Sequence, residues 1–345
     1  MFWSEGKDLR NQAVYEAMHR DRFDTIMKSL HLHPNTDLDK DDKYNKLRPL
    51  IAHLQRKFME HFVASQNICR DEAMIEYFGK HGCKQAIRNK PVRFGYKVWC
   101  QNLSLGCLLV FDLYQGKTYH GNEEIESKFG KSASTVLHWA SQYSNDSLIA
   151  FSFLFRQLVH YSSSDGKTWR KRIQRNRHYT SKLHWKNSSL ENIQYFQKKE
   201  RGHAEVATAT INGKRDVVLT RWRNNAVVTV SSTIHGKGLA TTAKPWSKAQ
   251  KQHSQVPVPT SIQLYNANMG GTDRMDQNIN AYRIGIRGKK WWWSIFAWLV
   301  DVSIQNAWQL HRLSRRNTVS HLNFRRDIAM AYLSKFKIPP KAEGK

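Results

Sequence analysis

Apolar residues recur at helical spacing from the start of the chain. Val14, Met18, Phe23, Ile26, Met27 and Leu30 predict helix over the first thirty residues. A polar, acid-rich loop follows around Pro34 and residues 35–42. A second helix then carries Leu50, Ile51, Leu54, Phe58 and Phe62 on one face. The period changes near residue 67. Residues 66–77 read as a strand-like run, and 92–101 and 103–113 as two more strands punctuated by Gly106 and Gly116. Residues 123–138 are more polar, with helix expected near their end, and 149–159 are apolar and aromatic. Residues 160–200 carry ten Lys and Arg against three acids and no clean period, which predicts a loop. Two alternating runs, 204–211 and 217–223, flank Asn212-Gly213, a hairpin turn signal, and 227–231 predicts a third strand. A proline-bearing linker is expected over 232–259 and helix from about Thr272. Trp291, Ile295, Trp298, Leu299 and Val302 then form a stripe read as core rather than as a platform for stacked bases.

Charge changes the picture. Fifty-five Lys and Arg against 28 Asp and Glu leave a net charge of +27 over 345 residues. An excess of that size repels itself and calls for a polyanionic partner, most often nucleic acid. Cys69, Cys83, Cys100 and Cys107 form no Cys-x-x-Cys pair, so reduced structural thiols are expected, with no zinc site. No signal peptide is visible, and the longest apolar run, 291–300, is too short to span a bilayer. The expected setting is therefore the cytosol or nucleus, with neither a membrane nor a small-molecule substrate as partner.

Three places carry candidate chemistry. Asp71-Glu72 lies in the first strand-like run. In Gly270-Gly271-Thr272-Asp273-Arg274-Met275-Asp276, two glycines allow a sharp entry, Thr272 suits a helix N-cap, and Asp273 and Asp276 share a face of the first turn. Acids there could equally just complement the helix dipole. Lys84, Arg88, Lys90, Arg93 and Lys97 interleave with Pro91, Phe94 and Tyr96, as in a phosphate-contacting strip or a lysine-guarded edge strand. Arg283, Arg287, Lys289 and Lys290 add a second set of candidate nucleic-acid contacts.

These residues also carry a family resemblance. Asp71-Glu72-Ala73-Met74 with Phe78-Gly79, and Lys90-Pro91-Val92-Arg93-Phe94-Gly95-Tyr96-Lys97, closely resemble the first catalytic block of piggyBac-type transposases, and Phe111 to Lys117 continues it. Tyr265-Asn266 with Gly270-Gly271-Thr272-Asp273 and Asp276-Gln277 is similar to the third block. Lys289 to Trp293 and Gln305 to Trp308 resemble the helix after it. The likeness runs from the N-terminus to about residue 312.

The resemblance implies an α/β, ribonuclease-H-like mixed sheet flanked by helices. An N-terminal helical region (1–66) would precede a core (67–315), interrupted by a disrupted segment at 156–195 and a strand-rich insertion at about 202–232; a basic tail (316–345) would follow. Three aspartates holding Mg2+ would cut and join phosphodiesters. By position Asp71 is the first ligand, Asp273 the third and Asp276 an auxiliary acid. At the second ligand the chain departs: Arg156 stands where the family has aspartate, and a cation cannot bind magnesium. One base inserted into a frame encoding Phe-Asp-Asn-Leu-Phe-Thr yields Phe-Arg-Gln-Leu-Val-His, the sequence of residues 155–160. Neither Asp146 nor Asp165 sits at the expected strand end. The family's terminal cysteine-rich module has no counterpart among cysteines that all precede residue 108. The resemblance thus implies a nuclear DNA-binding protein, with a homodimer as a further arrangement and a vestigial metal site. An active Mg2+-dependent transposase and a pseudogene product without function are the rival readings.

Overall fold

A computed structural model describes residues 2–62 except 7, 67–116 except 89, 152–155, 190–211, 215–232, 238, 241–247 except 245, 251–253, 255–314 and 319–335. The initial helical pattern resolves into two helices, α1 (Gln12–Ala17) and α2 (Arg20–Ser29), because Met18 and His19 take extended backbone between them. Asn11 accepts from the Val14 amide as the cap of α1. The second predicted helix is α3 (Arg48–His61), with Pro49 in its first turn, where its missing N–H costs nothing. The acid-rich loop before α3 is not simply solvated. Asp42 is 1% exposed and accepts from Arg48 Nε at 2.6 Å, and Arg48 also lies 3.7 Å from Asp112.

The central sheet contains β1 (Asn67–Glu76), β2 (Lys84–Ala86), β3 (Phe94–Leu103), β4 (Leu108–Leu113) and β5 (Ser152–Phe155). β3 runs antiparallel to β1, β2 and β4 run antiparallel to β3, and β5 runs parallel to β1 on its other side. The first of the two predicted strands, 92–101, is shifted by two residues, and the second ends at Leu113 as expected but begins at Leu108 rather than 103, because the chain turns at Ser104 to Cys107. Gly106 there has φ +98°, which an L side chain rarely adopts.

Side chains alternate along a strand, so Asp71, Ala73 and Ile75 share one face of β1. That face meets α3, α5 (Gly271–Ala281) and α6 (Trp293–Ser314); Ile51, Phe58, Met275, Ile279, Trp298 and Val302 close the core over it. The tryptophan stripe is mainly core: Trp298 is 3% exposed and meets the Phe111 ring edge-on at 5.5 Å. A polar row on α6 grips the β3–β4 turn. Asn306 accepts from the Leu108 amide at 2.9 Å and donates to its carbonyl at 2.8 Å, while Gln305 and Gln309 donate to the carbonyls of Gly106 and Leu105.

The strand-rich piece is a three-stranded antiparallel sheet of β6 (Ala204–Ile211), β7 (Arg215–Arg223) and β8 (Val227–Ser232). Its Trp222 and Val230 pack with Ile262, Tyr265 and Met269 of α4 (Thr260–Asn268) and the segment after it, and with Cys69 of β1. The stretch expected as linker contains an antiparallel pair, Thr241–Ala243 with Val256–Val258, and α4 begins where helix was not expected. A final helix, α7 (His321–Lys335), joins α6 through a buried ion pair between Asp301 and Arg325. The predicted helix near residue 138 and residues 156–189 of the disrupted segment, Arg156 among them, lie outside the described residues; within the stretch expected as loop, Ile193–Phe196 forms a short helical turn that buries Phe196.

Candidate functional site

The site is built where α5 crosses β1 and β3. Asp71 is 3% exposed, and its Oδ1 accepts from the Glu72 amide at 2.9 Å. Its register partner across the ladder is Cys100, on the same face. α5 reaches the sheet through Gly271. A Cβ there would stand 2.4 Å from the Leu103 carbonyl oxygen and 2.6 Å from Cys69 Sγ. Neither Gly270 nor Gly271 has positive φ, so the glycine pair serves close approach rather than a sharp turn. Gly270, not Thr272, occupies the cap position. Thr272 is 1% exposed inside the helix, and its hydroxyl donates to Asn102 Oδ1 at 2.9 Å. Met275 and Ile279 enter the core beneath it, which fixes the helix rotation and sets Asp276 toward the sheet.

Electrostatics confirm the convergence. Burial pushes the Asp276 carboxyl up to about 7; Lys90 and Arg283 oppose the rise, and Asp273 and Asp71 add to it. The Cys100 thiol is also held high, first by burial, then by the carboxylates of Asp276 and Asp71. Asp273 is exposed on the outer side of the turn. Lys90 bridges toward this acidic group: its ammonium donates to the Glu72 carbonyl at 2.9 Å and lies 3.6 Å from Glu72 Oε1.

A raised carboxyl pKa opposes folding above its unfolded value. Both states hold the proton in strong acid; the unfolded chain releases it near its ordinary value, while the folded chain keeps it until about pH 7. In metal-free buffer, stability should therefore fall from pH 4 towards 7 by an amount that Asp276→Asn abolishes. Urea unfolding of both proteins across that range measures the difference, and parallel curves would refute it.

The basic candidates do not form one strip. Arg88 and Arg93 are exposed, and Lys84 donates to the Phe78 carbonyl. Lys97 is partly buried with its ammonium 3.8 Å from the Trp99 ring centre, and burial lowers its pKa. Arg287 and Lys289 are exposed, whereas Lys290 donates to the carbonyls of Lys28 and Leu30. Sequence reasoning missed Arg70, 4% exposed and 5.2 Å from the Trp99 ring on the opposite face of β1. Its alternation with Asp71 was the available signal.

The implied magnesium can be tested against these residues. No three His, Cys, Asp or Glu among the described residues stand together as metal ligands. Asp71 and Asp276 face one another's field while Asp273 is exposed, so the described acids do not form a metal cage.

The mixed α/β fold with its antiparallel sheets is of the class found in a known transposase. A cryo-EM structure of the piggyBac transposase synaptic complex with hairpin DNA has a similar fold, with a TM-score of 0.62 at 14% identity over 96% of this chain and 67% of that one. The family model described as Transposase IS4 matches residues 1–308. PiggyBac transposable element-derived protein 3 of Homo sapiens is 38% identical over 99% of this chain and 56% of its own length; PiggyBac transposable element-derived protein 2 of Homo sapiens is 32% identical over 96% and 55%. The chain belongs to the IS4/piggyBac transposase family, and it spans about half the length of these curated relatives.

Proposed function

We propose that this transposase-derived chain binds duplex DNA through its phosphates, with little sequence preference, and does not cut it. The observation that carries the binding half is the net charge of +27, far beyond what folding needs. Three buried or half-buried acids are each matched by a cation: Asp42 by Arg48, Glu72 by Lys90 and Asp301 by Arg325. The excess of 27 Lys and Arg over Asp and Glu has no internal acid to pair with. A nuclear location follows from that partner.

The inactive half rests on order and register. The strand sequence β4-β3-β1-β5, with only β5 parallel to β1, supports the ribonuclease-H-like reading. The last pair of the β1–β5 ladder joins Arg70 to Phe155. Asp71 follows one of these residues and Arg156 the other, so the sequence places a cation directly after the strand that neighbours the first aspartate. A guanidinium is always protonated and supplies no lone pair to a metal. Asp71, Asp273 and Asp276 are then vestiges of a magnesium centre.

Fluorescence anisotropy with short duplexes of unrelated sequence tests both halves. Between about 50 and 200 mM salt the affinity should fall by about 10³-fold or more, as expected for roughly six or more phosphate contacts, and similarly for every duplex. A flat salt response would overturn DNA binding. Nicking of the same duplexes that depends on added Mg2+ would overturn inactivity and restore the active-transposase reading.

A further inference from the structure

The richest unassigned feature lies away from the acidic seam. A cavity of about 740 Å³ opens between the end of α2 and the segment leading into α6. Lys28, Lys46, Lys80, Lys289 and Lys290 line it, and no Asp or Glu does. Tyr77, Trp291 and Trp292 supply aromatic wall, with the Trp291 ring stacked on His81 at 4.6 Å.

With 55 Lys and Arg against 28 Asp and Glu, many cations have no acid to pair with, and it is the grouping of five lysines without an acid that marks this cavity. Arg48, Lys90, Lys199, Arg221 and Arg325 each face a carboxylate, whereas Lys28, Lys46, Lys80 and Lys289 have no ion pair among the described residues. Lysines from four separate segments line one cavity with no Asp or Glu among its walls, a local excess of positive charge suited to an anion. Lys290 adds to the effect. Its ammonium donates to the carbonyls of Lys28 and Leu30, covering oxygens at the negative end of α2 that would otherwise repel an anion.

Position selects the anion. Tyr77 lies six residues past Asp71 along β1, ~20 Å at about 3.3 Å per residue. Base pairs rise ~3.4 Å along a duplex axis, so a duplex at the acidic seam with its axis along β1 would pass this cavity about six base pairs away. We propose that the cavity is a phosphate-backbone site that engages duplex DNA flanking the acidic seam. This rests on the DNA-binding reading and goes beyond it by assigning Lys28, Lys46, Lys80 and Lys289 to contact.

The test uses the full chain with Lys28→Gln, Lys46→Gln, Lys80→Gln and Lys289→Gln combined, and leaves Lys290 intact. A second protein carries Lys→Arg at the same four positions. The salt slope of duplex binding should shrink by about three to four in the glutamine protein, one per lost phosphate contact, and stay unchanged in the arginine protein. Thermal melting of each protein confirms folding. A wild-type slope near zero would sink the DNA reading itself. A steep wild-type slope that the glutamine protein keeps in full would sink the cavity assignment alone, as would an equal loss in the arginine protein. Tripolyphosphate is the competing probe: if it raises the melting temperature of wild type but not of the glutamine protein while duplex slopes match, the cavity takes free polyphosphate, and the backbone assignment is overturned.

Discussion

Replacing Asp301 with alanine is expected to cost about 3–5 kcal/mol of stability, the range for breaking a buried ion pair by removing one partner. Asp301 is fully buried on α6. One carboxylate oxygen accepts from Arg325 Nη2 at 2.6 Å and the other from the Ile284 amide at 3.2 Å. The carboxylate thus pins α7 and the segment after α5 to the same point on α6. Burial raises its pKa, and the hydrogen bond from Arg325 works against that rise. Alanine would strand the Arg325 guanidinium, 13% exposed and with Nη1 already lacking a hydrogen-bond partner, in a dry site. Removing both charges, as in Asp301→Leu with Arg325→Leu, should recover much of the loss, because no buried charge is left uncompensated. Urea unfolding of the single and double variants decides it. A single-variant loss below about 1 kcal/mol would mean that the pair is effectively solvated.

The second large effect is expected at Gly271. Alanine there would bring a methyl group to 2.4 Å from the Leu103 carbonyl oxygen, a backbone atom that cannot swing aside, and to 2.6 Å from Cys69 Sγ. α5 would have to lift from β1 and β3, at a cost of about 1–3 kcal/mol or more, as for overpacked cores. The neighbouring Gly270→Ala is the control. Its φ of −76° suits any residue, and its nearest neighbour would be the Arg274 guanidinium at 3.8 Å, so stability should hardly move. Lifting α5 should also change the environment of Asp276. Carboxyl titration followed by NMR should then show Asp276 ionising at lower pH in Gly271→Ala than in wild type. An unchanged midpoint with wild-type stability would show that α5 does not depend on this close approach.

Much of this was legible in the residues. Alternation placed Asp71 on a strand, and the stripe from Trp291 to Val302 marked α6 as core, because both patterns reflect burial on one side of one element. The parts that stayed hidden depend on partners far away in sequence. α4 lies between the stretch read as linker, which ends at Pro259, and the helix expected from Thr272; its Ile262 and Tyr265 are buried against Trp222 and Val230 of the strand-rich piece. Thr272 suits a cap by type, but its hydroxyl is taken by Asn102 on β3, 170 residues away. Asp42 sat in a stretch that reads as solvated loop, although Arg48 draws it inside. Lys97 belonged by spacing to a phosphate strip, but the Trp99 ring two residues on holds it. Composition pointed to the excess of cations; only the fold shows that four of them crowd into one cavity without a carboxylate among its walls.

The grip of Asn306 on Leu108 has a consequence for solubility. A carboxamide carries one donor face and one acceptor face, as a peptide group does, and here it occupies both backbone groups of a residue at the start of β4, whose one neighbouring strand among the described residues is β3. A side chain thereby stands in for the next strand. Where a flat row of open amides and carbonyls would invite a second chain to add on, this edge is plugged at its first residue by the helix that also seals the core. The same helix that closes the protein on the inside thus closes the first residue of that edge to an added strand.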